Sequence, residues 1–220
     1  MKSIDDQWEM GKMFKDRTDA GKQLAKLLDK YRNEDVLVLA IPRGGVEIGY
    51  QVANYLDAEL SLLVSRKLPF PYNPEAGFGA VTEDGSSFIN EIAARELSED
   101  MIEQIKKEQV DEIKRRIEVL RNGEPLPDMK NRTVILTDDG LAMGSTMSAS
   151  VKLCKNKGAG KIVVAVPVAG KQVADMIDKV VDDIIVLDIP PFFHAVAQVY
   201  ENWYDVSDNE VIEIMNKAKK

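Results

Sequence analysis

Apolar positions along the chain fall into two patterns. Five short runs are almost uninterrupted: Val36 to Ile41, Leu60 to Val64, Thr133 to Thr137, Lys161 to Val166 and Ile184 to Leu187. None alternates polar with apolar, as a strand with one wet face would, so each predicts a strand buried on both faces. Between the runs lie helical patterns near residues 19–31, 46–56, 146–157 and 170–180. Strands separated by helices predict an α/β fold, a doubly wound, mostly parallel sheet of about five strands.

Two segments break the alternation. Residues 68–90 carry Pro69, Pro71 and Pro74 with Gly77, Gly79 and Gly85 around the β-like pieces FGAVT and SSFIN. They predict a hairpin turning at Glu83-Asp84-Gly85. Ser98 to Arg121 then reads as a long charged amphipathic helix, N-capped by Ser98 and ended by Asn122-Gly123. A last helix opens with the capping box Ser207-Asp208-Asn209-Glu210. A single domain over residues 1–220 is expected. The hairpin and long helix would form an insertion, or flap, at about 68–130, with a C-terminal hood and helix at about 189–220.

Charge and composition narrow the partners. Of 220 residues, 29 are Lys or Arg and 37 Asp or Glu, a net charge of −8. Affinity for nucleic acid usually begins with a basic surface that releases counterions, so neither DNA nor RNA is expected as a partner. The one basic cluster, Lys114-Arg115-Arg116, is flanked by Asp111, Glu112 and Glu118 and reads as a solvated helix face. A hydrophobic fraction of 45% supports a core and excludes a disordered chain. The single Cys154 excludes an internal disulfide and a Cys-based zinc cage, and fits a reducing compartment. No apolar run approaches the roughly 18 residues of a membrane span. The start of the chain, with Asp5, Asp6 and Glu9, is unlike a signal peptide. A soluble cytoplasmic protein is expected.

The chemistry concentrates in Val134 to Met147, VILTDDGLAMGSTM. An apolar strand ends in adjacent carboxylates, Asp138 and Asp139. The small-residue loop Gly140 to Ser145 then leads into a helix beginning near Thr146. Free N–H groups at a helix start, aided by the dipole, suit a phosphate. The carboxylates beside them suit something neutral or cationic, such as ribose hydroxyls or a hydrated metal. A ribose 5-phosphate satisfies both halves. After the first strand, Pro42-Arg43-Gly44-Gly45 offers close backbone approach at its glycines and a permanent fork of donors at Arg43. Arg66-Lys67 add two cations at the end of the second strand. Arg43, Arg66 and Lys67 are expected at one edge of an otherwise acidic protein, as a highly anionic ligand requires.

These strings carry a resemblance. The segment from Asp138-Asp139-Gly140 to Gly144-Ser145-Thr146 resembles the phosphoribosyl pyrophosphate (PRPP) loop of type I phosphoribosyltransferases. PRGGV, RK, GAV, DDG and AVPVA occur in order, as in a phosphoribosyltransferase-like subfamily. The likeness runs from Phe14-Lys15-Asp16-Arg17 to Asp208-Asn209-Glu210-Val211. It implies that Asp138 and Asp139 bind the ribose 2- and 3-hydroxyls. Gly140, Leu141, Ala142, Met143, Gly144, Ser145 and Thr146 would wrap the 5-phosphate. Arg43, Gly44, Gly45, Arg66 and Lys67 would hold pyrophosphate, with a non-proline cis peptide at Pro42–Arg43. Asp138, Asp139, Arg43 and Lys67 would form the catalytic group. Mg2+ would be held mainly by substrate, with Asp138 and Asp139 as its protein ligands.

The implied activity is Mg-dependent transfer of ribose 5-phosphate from PRPP to a nitrogenous base or related amine, with release of pyrophosphate, in nucleotide salvage or metabolism. A non-catalytic PRPP or nucleotide sensor of the same fold is the alternative. A phosphate-ester hydrolase is a third, for which no nucleophile is evident. A homodimer is compatible with each.

Some positions depart from the family pattern, and others could mislead. Ala142 stands where enzymes acting on 6-oxopurines carry an acid, and is closer to the loops of adenine, uracil and orotate enzymes. Met143 stands where Thr is usual. Either a hydroxyl donor to phosphate is lost, or Met143 packs against the helix start while its amide serves the phosphate, or the pocket has changed its ligand. Phe192, Phe193 and His194 follow the last core strand, where relatives hold a hood over the base; the plainer expectation is a packed aromatic corner with an exposed His194. Tyr200, Trp203 and Tyr204 read as packing. Gly158-Ala159-Gly160-Lys161 precedes a strand, so it is a helix-to-strand turn and no phosphate loop. Cys154 reads as a small buried hydrophobe.

Overall fold

The computed structural model describes residues 13–218; the acidic stretch with Asp5, Asp6 and Glu9 lies outside them. The first half of the chain forms α1 (Arg17–Leu27), β1 (Val36–Ala40), α2 (Gly45–Leu56), β2 (Glu59–Leu62), β3 (Ser65–Phe70), β4 (Asn73–Thr82), β5 (Ser87–Ile89), α3 (Glu91–Ala94) and α4 (Glu99–Arg121). The second half forms β6 (Thr133–Thr137), α5 (Ser145–Asn156), β7 (Lys161–Val168), α6 (Lys171–Asp178), β8 (Asp183–Asp188) and α7 (Asp208–Ala218).

The five apolar runs make one parallel sheet of order β2-β1-β6-β7-β8. β1 and β6 are buried at every position because helices cover both faces. Leu24, Ile48 and Val52 of α1 and α2 pack on one face, and Met147, Leu153 and Ile177 of α5 and α6 on the other. Cys154 is buried among the latter, which pushes its thiol up to about 12. β1 and β6 pair from Val36↔Thr133 to Ala40↔Thr137, so their following loops emerge side by side. Strand order reverses here, and the crevice outside such strand ends is where open α/β sheets bind ligands.

The hairpin gains a strand that the sequence pattern does not announce. β3 pairs with β4, giving a separate antiparallel sheet of order β3-β4-β5. The second apolar run therefore stops as a core strand at Leu62, and Leu63 and Val64 carry the chain into β3. Pro69 and the register shifts beside it disguise the strand. The turn lies where expected, with Asp84 Oδ1 accepting from Thr82 Oγ1 at 2.8 Å and Ser86 N at 2.9 Å. Ser98 caps α4 by accepting from the Met101 amide, and Asn122 and Gly123 end it in left-handed conformations. The apolar face of α4, with Ile113 and Ile117, packs on Leu68, Phe78 and Val81 of the small sheet. Ser207 and Glu210 exchange hydrogen bonds at the start of α7, a true capping box.

One ion pair fastens the small sheet to the core. Arg121, at the end of α4, donates to both carboxylate oxygens of Glu83 at 3.0 and 2.6 Å and to Leu62 O at 2.7 Å. Both side chains are nearly buried, so removing one partner strands the other's charge. Arg121→Met should lower the unfolding free energy, read by urea denaturation, by about 3–5 kcal/mol. Adding Glu83→Gln should restore part of that loss. A loss under about 1 kcal/mol, the worth of an exposed pair, would count against the fastening role.

Candidate functional site

Past the end of β6, Asp138 and Asp139 sit side by side, the Asp139 amide donating to Asp138 Oδ1 at 2.8 Å. The start of α2 lies directly against them. A Cβ on Gly45 would come within 2.9 Å of Thr137 O, and one on Gly44 within 1.9 Å of Asp139 Oδ2. Two glycines thus let the turn after β1 touch the carboxylates after β6, and the turns form one site. The Pro42–Arg43 bond leading into it is cis.

The counter-ion of this pair is Arg17, whose role no motif in the sequence declares. It begins α1, is 3% exposed, and its Nε donates to Asp139 Oδ2 at 2.8 Å. Its Nη1 donates to Tyr204 O at 3.0 Å and lies 3.5 Å from Glu47 Oε2. The Trp203 ring covers the guanidinium with its centroid 4.0 Å away. Tyr204 OH donates to Glu47 Oε1 at 2.6 Å, and Tyr200 OH donates to Asp139 O at 2.7 Å. Tyr200, Trp203 and Tyr204 do pack, but around a charge. The advance signal was small: Arg17 closes the string Phe14-Lys15-Asp16-Arg17 where the likeness begins.

The loop after the carboxylates divides in two. Gly140 and Leu141 anchor it, since a Cβ on Gly140 would meet Val168 at 2.7 Å and the Leu141 amide donates to Val168 O at 2.8 Å. With that amide committed and the Leu141 side chain in the core, the solvent-facing half begins at Ala142. Gly144 turns the chain at φ 74°, and Ser145, Thr146 and Met147 open α5 with amides that have no acceptor four residues back in the helix. This half borders a cavity of about 280 Å³, whose far wall includes Lys67 and Glu75 of the small sheet. Met143 does not pack against the helix start: it is 70% exposed, and Val173 and Met176 crowd Gly144 instead. Ala142 also borders a second cavity, about 490 Å³, with Gly170, Pro190, Pro191 and Phe193. Phe193 alone of the three hood candidates lines it; Phe192 and His194 are exposed, so the aromatic corner is only half packed.

The cations are not gathered as expected. Arg66 and Lys67 lie inside β3, beyond the end of β2, and strand alternation sends them to opposite faces. Lys67 faces the loop cavity, its Nζ donating to Glu75 O at 2.5 Å. Arg66 faces α4, its Nε donating to Gln109 Oε1 at 3.2 Å. Arg43 leans toward α7, with Nη1 3.7 Å from Asp208 Oδ1. Arg116 leaves the solvated face predicted for it and donates to the same Asp208 oxygen at 3.3 Å. Lys114 and Arg115 stay in solvent, paired with Asp111 and Glu112 on their own helix.

Among the described residues no group of three or more His, Cys, Asp or Glu could cage a metal. The Asp138–Asp139 pair, with Asp139 Oδ2 already taken by Arg17, suits a hard cation that draws most of its ligands from a bound phosphate.

Paired strand-end carboxylates beside a helix-opening loop, at the reversal point of a five-stranded parallel sheet, define an α/β protein with its candidate site at the carboxyl ends of β1 and β6. Residues 12–202 match the family described as "Phosphoribosyl transferase domain", and the chain belongs to that family. Two Mycobacterium tuberculosis proteins, named "Putative phosphoribosyl transferase MT0597" (strain CDC 1551 / Oshkosh) and "Putative phosphoribosyl transferase Rv0571c" (strain ATCC 25618 / H37Rv), are each 36% identical over 211 residues. Those matches cover 95% of this chain and 48% of the relatives, so the chain spans about half the length of the curated relatives it matches. The crystal structure of TT1426 from Thermus thermophilus superposes with a TM-score of 0.80 at 34% identity, over 93% of this chain and 98% of that one. Among the described residues no helix is long and apolar enough to cross a membrane.

Burial raises the carboxyls of both Asp138 and Asp139 above the ordinary range. Asp138 rises further because of the Asp139 charge, while Arg17 pulls Asp139 back. An acid whose folded-state pKa is raised costs stability at pH values above its ordinary range, and that cost fades as pH falls toward the unfolded value. Asp138→Asn keeps an acceptor for the Asp139 amide and removes the charge. It should raise the thermal midpoint at pH 7, with the gain shrinking as pH falls toward about 4. Equal midpoints for variant and parent at pH 7 would show that the Asp138 charge carries no such cost.

Proposed function

We propose that this chain transfers ribose 5-phosphate from PRPP to a nitrogen of a base or related amine, releasing pyrophosphate. One observation carries the proposal: the Gly44–Gly45 contact, which sets a carboxylate pair and a phosphate-type loop beside the Arg43 turn. The free oxygens of Asp138 and Asp139 would accept from the ribose hydroxyls. The amides from Ala142 to Thr146, with Ser145 and Thr146 hydroxyls, would hold the 5-phosphate. Lys67 would close over that end from the small sheet, and Arg43 with Arg66 would face the pyrophosphate. The base would enter the cavity between Ala142 and Phe193, where Phe193 offers an aromatic face.

Asp138 and Asp139 would help substrate hold a magnesium ion, whose chemistry when bound would be charge neutralisation at the departing pyrophosphate. The residues of this chain need no covalent step. Arg43 and Arg66 would stabilise the leaving charge, the carboxylates would fix the ribose while C1 gains oxocarbenium character, and the loop would hold the phosphate as an anchor. With Ala142 in the loop, no acid stands ready for a base N7, so an acceptor needing no proton there fits better. Nucleotide salvage or metabolism in the cytoplasm is the setting this reading implies, and a homodimer is compatible with it.

Incubation with PRPP and magnesium against a panel of bases, followed by phosphorus NMR, tests the proposal. Base-dependent pyrophosphate release is the expected result. PRPP binding without release under any base would favour a non-catalytic PRPP sensor, and absence of PRPP binding would refute both.

Met143→Thr tests the phosphate end separately. A Thr hydroxyl would add a hydrogen bond to a charged group, worth about 1.5–3 kcal/mol. PRPP and ribose 5-phosphate should both bind roughly 10-fold or more tightly by calorimetry. No gain for either ligand would refute the hydroxyl argument: the phosphate would then depend on backbone amides alone, or the true ligand would place no 5-phosphate in this loop.

A further inference from the structure

We propose that Tyr204 is a positioning residue, which reserves Arg17 for Asp139 by holding a rival carboxylate, Glu47, away from it. The role deepens the transfer reading above and rests on it for the ligand that Asp139 would meet. Arg17 lies between two carboxylates. Its Nε donates to Asp139 Oδ2 at 2.8 Å, while its Nη1 stands 3.5 Å from Glu47 Oε2. All three side chains are at most 15% exposed, so water can replace few of these contacts. Glu47 Oε2 is buried and, among the described residues, accepts no hydrogen bond. A buried oxygen without a donor carries a desolvation cost, and a small turn toward Arg17 would remove it. Tyr204 holds Glu47 back, its OH donating to Oε1 at 2.6 Å.

Tyr204 acts on both sides of this contest. Its backbone O accepts from Arg17 Nη1 at 3.0 Å, which keeps the guanidinium turned with Nε toward Asp139, and its hydroxyl fixes Glu47. Burial raises the Glu47 carboxyl above its ordinary range, and the Tyr204 hydroxyl and the Arg17 charge both offset that rise. Without the hydroxyl, Glu47 has Arg17 to turn to. Two carboxylates would then compete for one fork of donors. Asp139 would lose the fixed orientation that leaves its other oxygen, Oδ1, for a ribose hydroxyl.

The test compares the parent with Tyr204→Phe and with Tyr204→Phe combined with Glu47→Gln. Tyr204→Phe keeps the ring and the backbone carbonyl and removes only the hydroxyl. The Arg17 Nε–H resonance, read by NMR with no ligand present, reports the contact with Asp139; calorimetric titration with ribose 5-phosphate reports its consequence. Tyr204→Phe should shift the resonance and weaken ribose 5-phosphate about fivefold or more. Adding Glu47→Gln, which removes the rival charge, should return the resonance toward its parent position and the affinity to within about twofold of the parent. A general loss of packing would not be reversed by a second substitution. An unmoved resonance in Tyr204→Phe, an affinity within about twofold of the parent, or a double variant no better than Tyr204→Phe would overturn the role. A resonance that responds as expected in a protein that binds no ribose 5-phosphate would uphold the hold of Tyr204 on Glu47 and overturn the transfer reading.

Discussion

A buried guanidinium needs a carboxylate, and a buried carboxylate needs a cation; Arg17 and Asp139 meet both needs at 2.8 Å. Much of the site is arranged around that contact. Gly44 has no side chain because Asp139 fills the space where one would stand. Tyr200, Trp203 and Tyr204 close over the guanidinium, and Tyr204 also holds Glu47 at the start of α2. One charge pair thus ties α1, α2, the loop after β6 and the segment before α7 into a single frame. Alteration of either partner would leave an uncompensated charge where water hardly reaches.

The rest of the site divides into two electrostatic halves. Carboxylates cluster after β6, beside amides that open α5. Arg43 and Arg116 meet at Asp208, at the start of α7. Under the transfer reading proposed above, a molecule with hydroxyls in its middle and phosphates at both ends would follow that polarity along its length.

The parallel sheet was legible because a strand covered on both faces has no polar positions to interrupt its apolar run. The carboxylates and loop were legible because strand, Asp pair and small residues are contiguous. What lay hidden depends on partners distant in sequence. Arg17 sits 122 residues from Asp139, and nothing in its own surroundings tells a buried arginine from a solvated one. β3 was masked by Pro69, and with it the alternation that separates Arg66 from Lys67. Arg116 looked like its neighbours Lys114 and Arg115; only the docking of α7 makes one of the three different. Met143 could be flagged as unusual, but its exposure depends on Val173 and Met176 filling the space beside Gly144.

The pairing of β1 with β6 also bears on how the molecule is made. Their registered carboxyl ends bring Gly45 beside Asp138, yet the whole small sheet and α4 lie between them in the chain. Closing so long a loop costs entropy before any contact rewards it, and parallel pairing of this kind is slow. The small sheet and α4, built from nearer neighbours, have the shorter search. The Arg17–Asp139 contact also needs β6 in place, so the binding site comes into being only when the two halves of the main sheet join. A nascent or partly refolded chain with much of its helix and hairpin content would still lack a site.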